Sequence, residues 1–254
     1  MSPKIALILL LSALLAYALP SAFVAADEAK DAIEAFKDQM KEADEAGQVK
    51  LIEALAATEN PGRLKAITKF LGSRSTAVKV AAIKALGTIK DPKSVSKLMG
   101  MAKAAEKDPP VLAAIMGTLG EFGSKKTHKL LMDTAKKWLY KNSDVAGSAA
   151  RSMGSIQDKK VIEDLIKLLG MTYPVSSSSS GQISAETQAL LKASRPGIIE
   201  GLQILTGWDF AEAEAWNNFW DYAQKSWKPG AKDVDTTKLK KWVDPGYGFE
   251  MDKP

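Results

Sequence analysis

The chain has 254 residues, 46% hydrophobic and 26% charged, with a formal net charge of +5 and no cysteine. Without cysteine there is no disulfide, no thiolate chemistry, no cysteine-ligated metal and no lipid anchor on an acylated cysteine. With a single histidine as well, nucleophilic triads and histidine-based zinc sites lack their parts.

The chain opens on Lys4, an apolar run from Ile5 to Leu19, Pro20, and a small-residue exit ending in Val24-Ala25-Ala26. That is the layout of a secretory signal peptide over residues 1–26, cleaved before Asp27. The run is shorter than the roughly 20 apolar residues that span a bilayer, so no stable membrane span is expected after cleavage. The mature chain keeps a net charge of +4 once Lys4 is lost. It is expected to be secreted or periplasmic. Residues 27–47 alternate acidic, basic and alanine residues, with Ile33, Phe36 and Met40 on one face. They predict a single helix that caps the open end of whatever follows.

Residues 48–170 are organised by a repeat that is clearest from Val78 to Met101. There Val78, Ala81, Ala82, Ile83, Leu86 and Ile89 form one helical stripe, and Val95, Leu98 and Met101 form another. Between them Asp91 stands at an N-cap position with Pro92 at the first helical position. A shift of 33 places Val111, Ala114, Leu119, Gly120 and Phe122 on the first stripe, Ser124 on Asp91 and Leu131 on Leu98. A further shift of 34 reaches Val145, Ser148, Met153, Gly154, Ile156, Asp158 and Leu165. Going back 31 places Leu55 on Leu86, Asn60-Pro61 on Asp91-Pro92, and Leu64 and Ile67 on the second stripe. Four helical pairs at one period, none able to cover its own apolar faces, predict an α-solenoid.

The pattern V-x-x-A-A-I-x-A-L-G-x-I-x-D, met at nearly every position by Val78 to Asp91, resembles the short bacterial HEAT repeat of the PBS-lyase-like kind. The resemblance covers residues 48–170 well and the next fifty loosely. It implies an all-α fold, a short right-handed solenoid of about five helical pairs. It implies little about chemistry, because HEAT arrays mostly serve as scaffolds and binding surfaces.

After the fourth repeat the period breaks. Residues 171–183 hold five consecutive serines and predict a solvated loop. Gly170 before them is expected to cap the preceding helix. Ser184 then starts a helix that Pro196-Gly197 is expected to interrupt, before a stripe of Ile198, Ile199, Leu202, Ile204 and Leu205. Asp209 with Glu212 suggests a capping box for a last helix carrying Trp216, Phe219, Trp220 and Trp227. Residues 184–227 thus predict a divergent, aromatic-rich terminal repeat, similar to the ending of exported bacterial HEAT proteins. Residues 228–254 form a polar tail whose Trp242, Tyr247 and Phe249 are expected to strap back in part.

Few residues suggest chemistry. His128 aligns with Val95 and Ile162 and reads as a packed core histidine. Acidic pairs such as Glu212-Glu214 read as solvated, and the repeat glycines are expected in turns, without forming a phosphate loop. Only Arg63, Arg74, Arg151 and Arg195 are arginine among 35 basic residues, which argues against a nucleic-acid groove. Lys93, Lys126 and Lys160 recur at one position in three repeats, where the helix dipole disfavours positive charge. They read as a duplicated solvated position or as a ladder for an anionic partner. Trp208, Trp216 and Trp220 could form a stacking platform, but closing the open end of the core is the reading preferred. The function expected is an exported, non-enzymatic scaffold that binds another protein through its helix surface, with no cofactor and no metal. The alternative is a module that binds an anionic or glycan polymer of the cell envelope through the Lys ladder and the Trp cluster.

Overall fold

The computed structural model describes residues 24–173 and 183–229. The segment expected to be a signal peptide, as far as residue 23, most of the Ser-rich stretch and the tail beyond 229 lie outside the described residues. The described residues hold eleven α-helices, two 3-10 turns and no strand. The helices are α1 (Val24–Glu42), α2 (Glu45–Ala57), α3 (Arg63–Thr68), α4 (Thr76–Ile89), α5 (Lys93–Ala105) and α6 (Pro109–Glu121). They continue with α7 (His128–Trp138), α8 (Ser143–Met153), α9 (Lys159–Gly170), α10 (Ala185–Thr206) and α11 (Ala213–Ala223). The fold is an all-α solenoid of five helical pairs behind one leading helix. Helices α2, α4, α6, α8 and α10 stack in one layer, each against the next, and the second helix of each pair lies in a second layer.

The core follows the period. Val78, Leu86, Leu98, Leu119, Leu131, Val145, Met153 and Leu165 are all fully or almost fully buried, in one continuous cluster. The segment expected as a single helix over 27–47 is broken at Ala43-Asp44. Asp44 accepts the Gly47 N–H and caps α2, while the Gln48 amide donates to the Met40 and Ala43 carbonyls at the end of α1. Helix α1 still closes the first repeat. Phe36 and Met40 are buried, the Phe36 ring meets Phe70 edge-on at 5.9 Å, and Asn60 donates to the Ala29 carbonyl at 2.7 Å.

The repeat glycines do not lie in turns, as their sequence context suggested. Gly87 and Gly120 sit in the last turns of α4 and α6, and Gly154 caps α8. They let successive first-layer helices approach closely. A Cβ on Gly120 would stand 2.6 Å from Ser152 Cβ, and one on Gly154 would stand 2.6 Å from the Gly201 carbonyl oxygen. The same contact explains why α10 runs unbroken through Pro196, against expectation. A mid-helix proline costs about 3 kcal/mol. Here Gly197 seats against the Gly147 backbone of α8, and Ile198, Leu202 and Leu205 are buried beyond it. Tertiary packing holds the helix that local propensity would break.

Two more local expectations shift. Gly170 is the last residue of α9 rather than its cap, which is Met171, in the right-handed helical region. Helix α11 starts at Ala213 with Glu212 as an N-cap that makes no side-chain bond, so Asp209 caps nothing. Residues 207–212 instead wrap the terminal aromatic cluster, with Trp208 stacked on Phe210 and the Phe210 carbonyl accepting the Trp216 indole N–H at 2.8 Å.

Candidate functional site

Beside the local pairs Lys41–Asp38 and Arg63–Glu59, ion pairs among the described residues run from one repeat to the next. Lys79 of α4 meets Asp108 before α6 at 2.8 Å, Lys137 of α7 meets Glu106 after α5 at 2.7 Å, and Lys125 meets Asp158 at 3.1 Å. Arg151 of α8 holds Glu200 of α10. The Lys79 ammonium, helped by the Thr76 hydroxyl, keeps the Asp108 carboxyl below its usual range. Asp158 is lowered first by the Lys160 backbone N–H and then by Lys125. These side chains lock neighbouring repeats together.

Lys93, Lys126 and Lys160 differ from them. All three are exposed, and none makes an ion pair among the described residues. Lys93 is the first residue of α5 and Lys160 the second of α9. Their backbone N–H groups donate to Asp91 and Asp158, at 2.8 and 3.0 Å. Those carboxylates offset the positive end of each helix, so the ammonium groups above stay free for solvent or a partner. Lys126 lies in the 3-10 turn Lys125–Thr127 that precedes α7, not in the helix itself. The neighbours are occupied: Lys125 pairs with Asp158, and Lys159 donates to the Gln224 carbonyl of the terminal repeat.

The aromatic candidates separate. Trp216 is fully buried, Trp220 is 5% exposed and Trp227 is 2% exposed. Trp216 meets Phe210 and Phe219 edge-on at 4.9 and 5.9 Å, and Trp220 meets Trp227 at 6.1 Å. The Trp227 indole N–H donates to the Leu205 carbonyl. Trp216 and Trp220 therefore present no ring face to a partner, because they fill the space where a sixth repeat would pack. Trp208 is half-buried against Phe219 and keeps an edge at the surface.

His128 is the first residue of α7 and is half-buried, unlike its equivalents Val95 and Ile162, which lie in the core. Its Nε2 stands 3.1 Å from the Asp164 carboxylate of α9, at an angle short of a hydrogen bond. It faces the next repeat rather than a cleft. One cluster escaped the sequence reading. Arg195 of α10 lies over the Tyr173 ring, 3.8 Å from its centroid, and donates to the Thr172 hydroxyl and carbonyl. The Tyr173 hydroxyl donates to the Ala211 carbonyl, and burial raises its pKa. This cluster ties Thr172 and Tyr173, at the start of the Ser-rich insertion, to the terminal repeat. No sequence signal could have found it, since the three residues come from outside the periodic segments.

Among the described residues there is no group of three or more His, Cys, Asp or Glu side chains placed to hold a metal ion. No described helix is long and apolar enough to cross a membrane. Comparison with family models matches residues 33–109 to HEAT repeats and residues 145–170 to the PBS lyase HEAT-like repeat. The first match begins inside α1 and ends at the start of α6, and the second covers α8 and α9. A search of curated proteins finds no match.

Proposed function

Because this chain is a HEAT-repeat protein, we propose that it is an exported, non-enzymatic scaffold that binds another protein through the surface of its helices. HEAT repeats in general point to protein interaction, and their families are typically non-catalytic. One observation carries the reading for this chain. Equivalent positions of successive repeats lie side by side on an exposed surface, and ion pairs and glycine contacts between repeats hold that surface rigid. A pre-ordered surface loses little conformational entropy on binding. Export rests on the leader of residues 1–26. Its test is N-terminal sequencing of the protein from its host: a start at Asp27 supports export, and an intact leader in the cytoplasm refutes it.

The scaffold reading is tested by incubating immobilised mature protein with an extract of its own host and washing at rising salt. A single defined protein, retained in stoichiometric amount and cross-linking to the helix surface, is the expected result. Turnover of a small molecule by the purified chain would refute the reading. The alternative of an anionic or glycan polymer would draw on Lys93, Lys126 and Lys160, but it has lost Trp216 and Trp220, whose rings are buried.

A further inference from the structure

The charge of this molecule is sorted between its two layers. The second-layer segments, residues 63–72, 93–105, 125–138 and 159–170, carry fourteen Lys or Arg against three Asp or Glu. The first-layer helices α2, α4, α6, α8 and α10 carry six against six. The basic strip is also bounded, because the last second-layer helix, α11, has two acids and no base. The excess is therefore a feature of one surface over four consecutive repeats, and random solvation would have spread it over both.

The centre of that surface has a particular relief. On α5 the exposed residues are Lys93, Ser96, Lys97, Gly100, Lys103 and Ala104. At 100° per residue, Ser96, Gly100 and Ala104 run along the outer face of α5, with Lys93 in line with them at its N-terminal end and Lys97 and Lys103 on either side. A Cβ on Gly100 would meet nothing within 4 Å, so this mid-helix glycine serves no packing contact among the described residues, although it costs about 1 kcal/mol of helix stability. The low point belongs to α5 alone: the equivalents of Gly100 in the neighbouring repeats are the exposed Lys69, Asp133 and Lys167.

We infer that the second-layer surface of α3, α5, α7 and α9 is a docking site for an acidic, extended protein segment, whose backbone lies over Ser96 and Gly100 while its carboxylates meet the flanking lysines. The inference rests on the scaffold reading above and specifies the partner's chemistry. The second-layer helices pack on one another less closely than the first-layer helices do, so four of them span at least about 30 Å, the reach of an extended segment of about ten residues. A bilayer surface would be held by apolar side chains exposed among the lysines. A polynucleotide would want exposed aromatic rings and arginine forks. The only large hydrophobic side chains exposed among the described residues are Tyr140, Met171 and Ile204.

The test uses the mature chain and a fluorescent glutamate-rich peptide of about ten residues, read by anisotropy. Vesicles of anionic phospholipid and an anionic polysaccharide are run in parallel. One variant combines Lys93→Glu, Lys126→Glu and Lys160→Glu. The control combines Lys84→Glu and Lys192→Glu, which reverses two exposed first-layer lysines. The expected result is saturable peptide binding that weakens at least about tenfold in the triple variant and no more than about twofold in the control. It should also weaken as salt rises from about 0.1 to 1 M, where the Debye length falls from about 10 to 3 Å. Equal weakening in both variants, or binding of vesicles or polysaccharide in preference to peptide, overturns the inference. A partner protein retained equally by wild type and triple variant would overturn the inference while leaving the scaffold reading intact. Failure of the wild type to retain any protein would remove the scaffold reading itself.

Discussion

Replacing Gly201 by alanine tests how the repeats are joined. An added Cβ would stand 2.6 Å from the Ala150 carbonyl oxygen, where ordinary contact begins at 3.4 Å. The obstacle is helix backbone and cannot swing aside, so α10 must lift from α8 by most of an ångström along a fully buried seam. Overpacking of this kind costs about 1–3 kcal/mol, offset by about 1 kcal/mol because alanine is the better helix former. The expected net loss is up to about 2 kcal/mol, or up to several degrees in melting temperature for a chain of this size. Gly100→Ala provides the opposite sign, since its Cβ would meet nothing: only the propensity gain remains, a stabilisation of about 1 kcal/mol. Gly87→Ala falls between, because its Cβ would meet only the tip of the Glu121 side chain, which is free to move. Since repeat arrays can open locally, urea melts should be paired with hydrogen exchange. Gly201→Ala is expected to lose amide protection first in α10 and α11. If Gly201→Ala and Gly100→Ala shift stability alike, the close α8–α10 seam is wrong.

Further outcomes follow from single residues. Lys90 ends α4 in the left-handed region, at φ 56°, while the equivalent position one repeat later is Gly123, at φ 55°. Lys90→Gly is therefore expected to stabilise by about 1 kcal/mol in a urea melt. Leu86 is fully buried, so Leu86→Asp places an unpaired charge between repeats and should cost more than about 4 kcal/mol. Lys93→Glu should change stability by less than about 0.5 kcal/mol, and similar melts for the two would mean that the core register is wrong. The folded pKa of Asp108 is depressed, chiefly by Lys79. Its contribution is thus complete above the unfolded value of about 3.9 and is lost as pH falls through the lower folded value. The stability gap between wild type and Asp108→Asn should be largest near neutral pH and close in strong acid; a gap that widens on acidification would contradict the pairing.

The period was legible because every repeat buries the same positions. Val78, Val111 and Val145, or Leu98, Leu131 and Leu165, occupy the same place in successive helices and are buried together. What escaped was decided by contacts far apart in sequence. Pro196 reads locally as a helix break, and only the Gly147–Gly197 approach shows why α10 continues. Asp209 reads as a cap, but the Trp208, Phe210 and Trp216 rings pack together there and the helix starts only after Glu212. The ladder of Lys93, Lys126 and Lys160 was visible as a repeat, yet its meaning depended on the structure, which separates these lysines from the Lys125 and Lys159 engaged between repeats. The basic layer could have been found by summing charge separately over the first and second helices of each pair. A sum over the whole chain hides it, because α1 and α11 are acidic.

The most direct test of the scaffold account is hydrogen exchange on the mature protein, alone and with the partner retained from its host's extract. The account predicts new protection on the exposed amides of α5, α7 and α9, with little change in α4, α6 and α8. Protection confined to the first layer would contradict the second-layer docking site, and the absence of any protein partner to add would contradict the scaffold account itself.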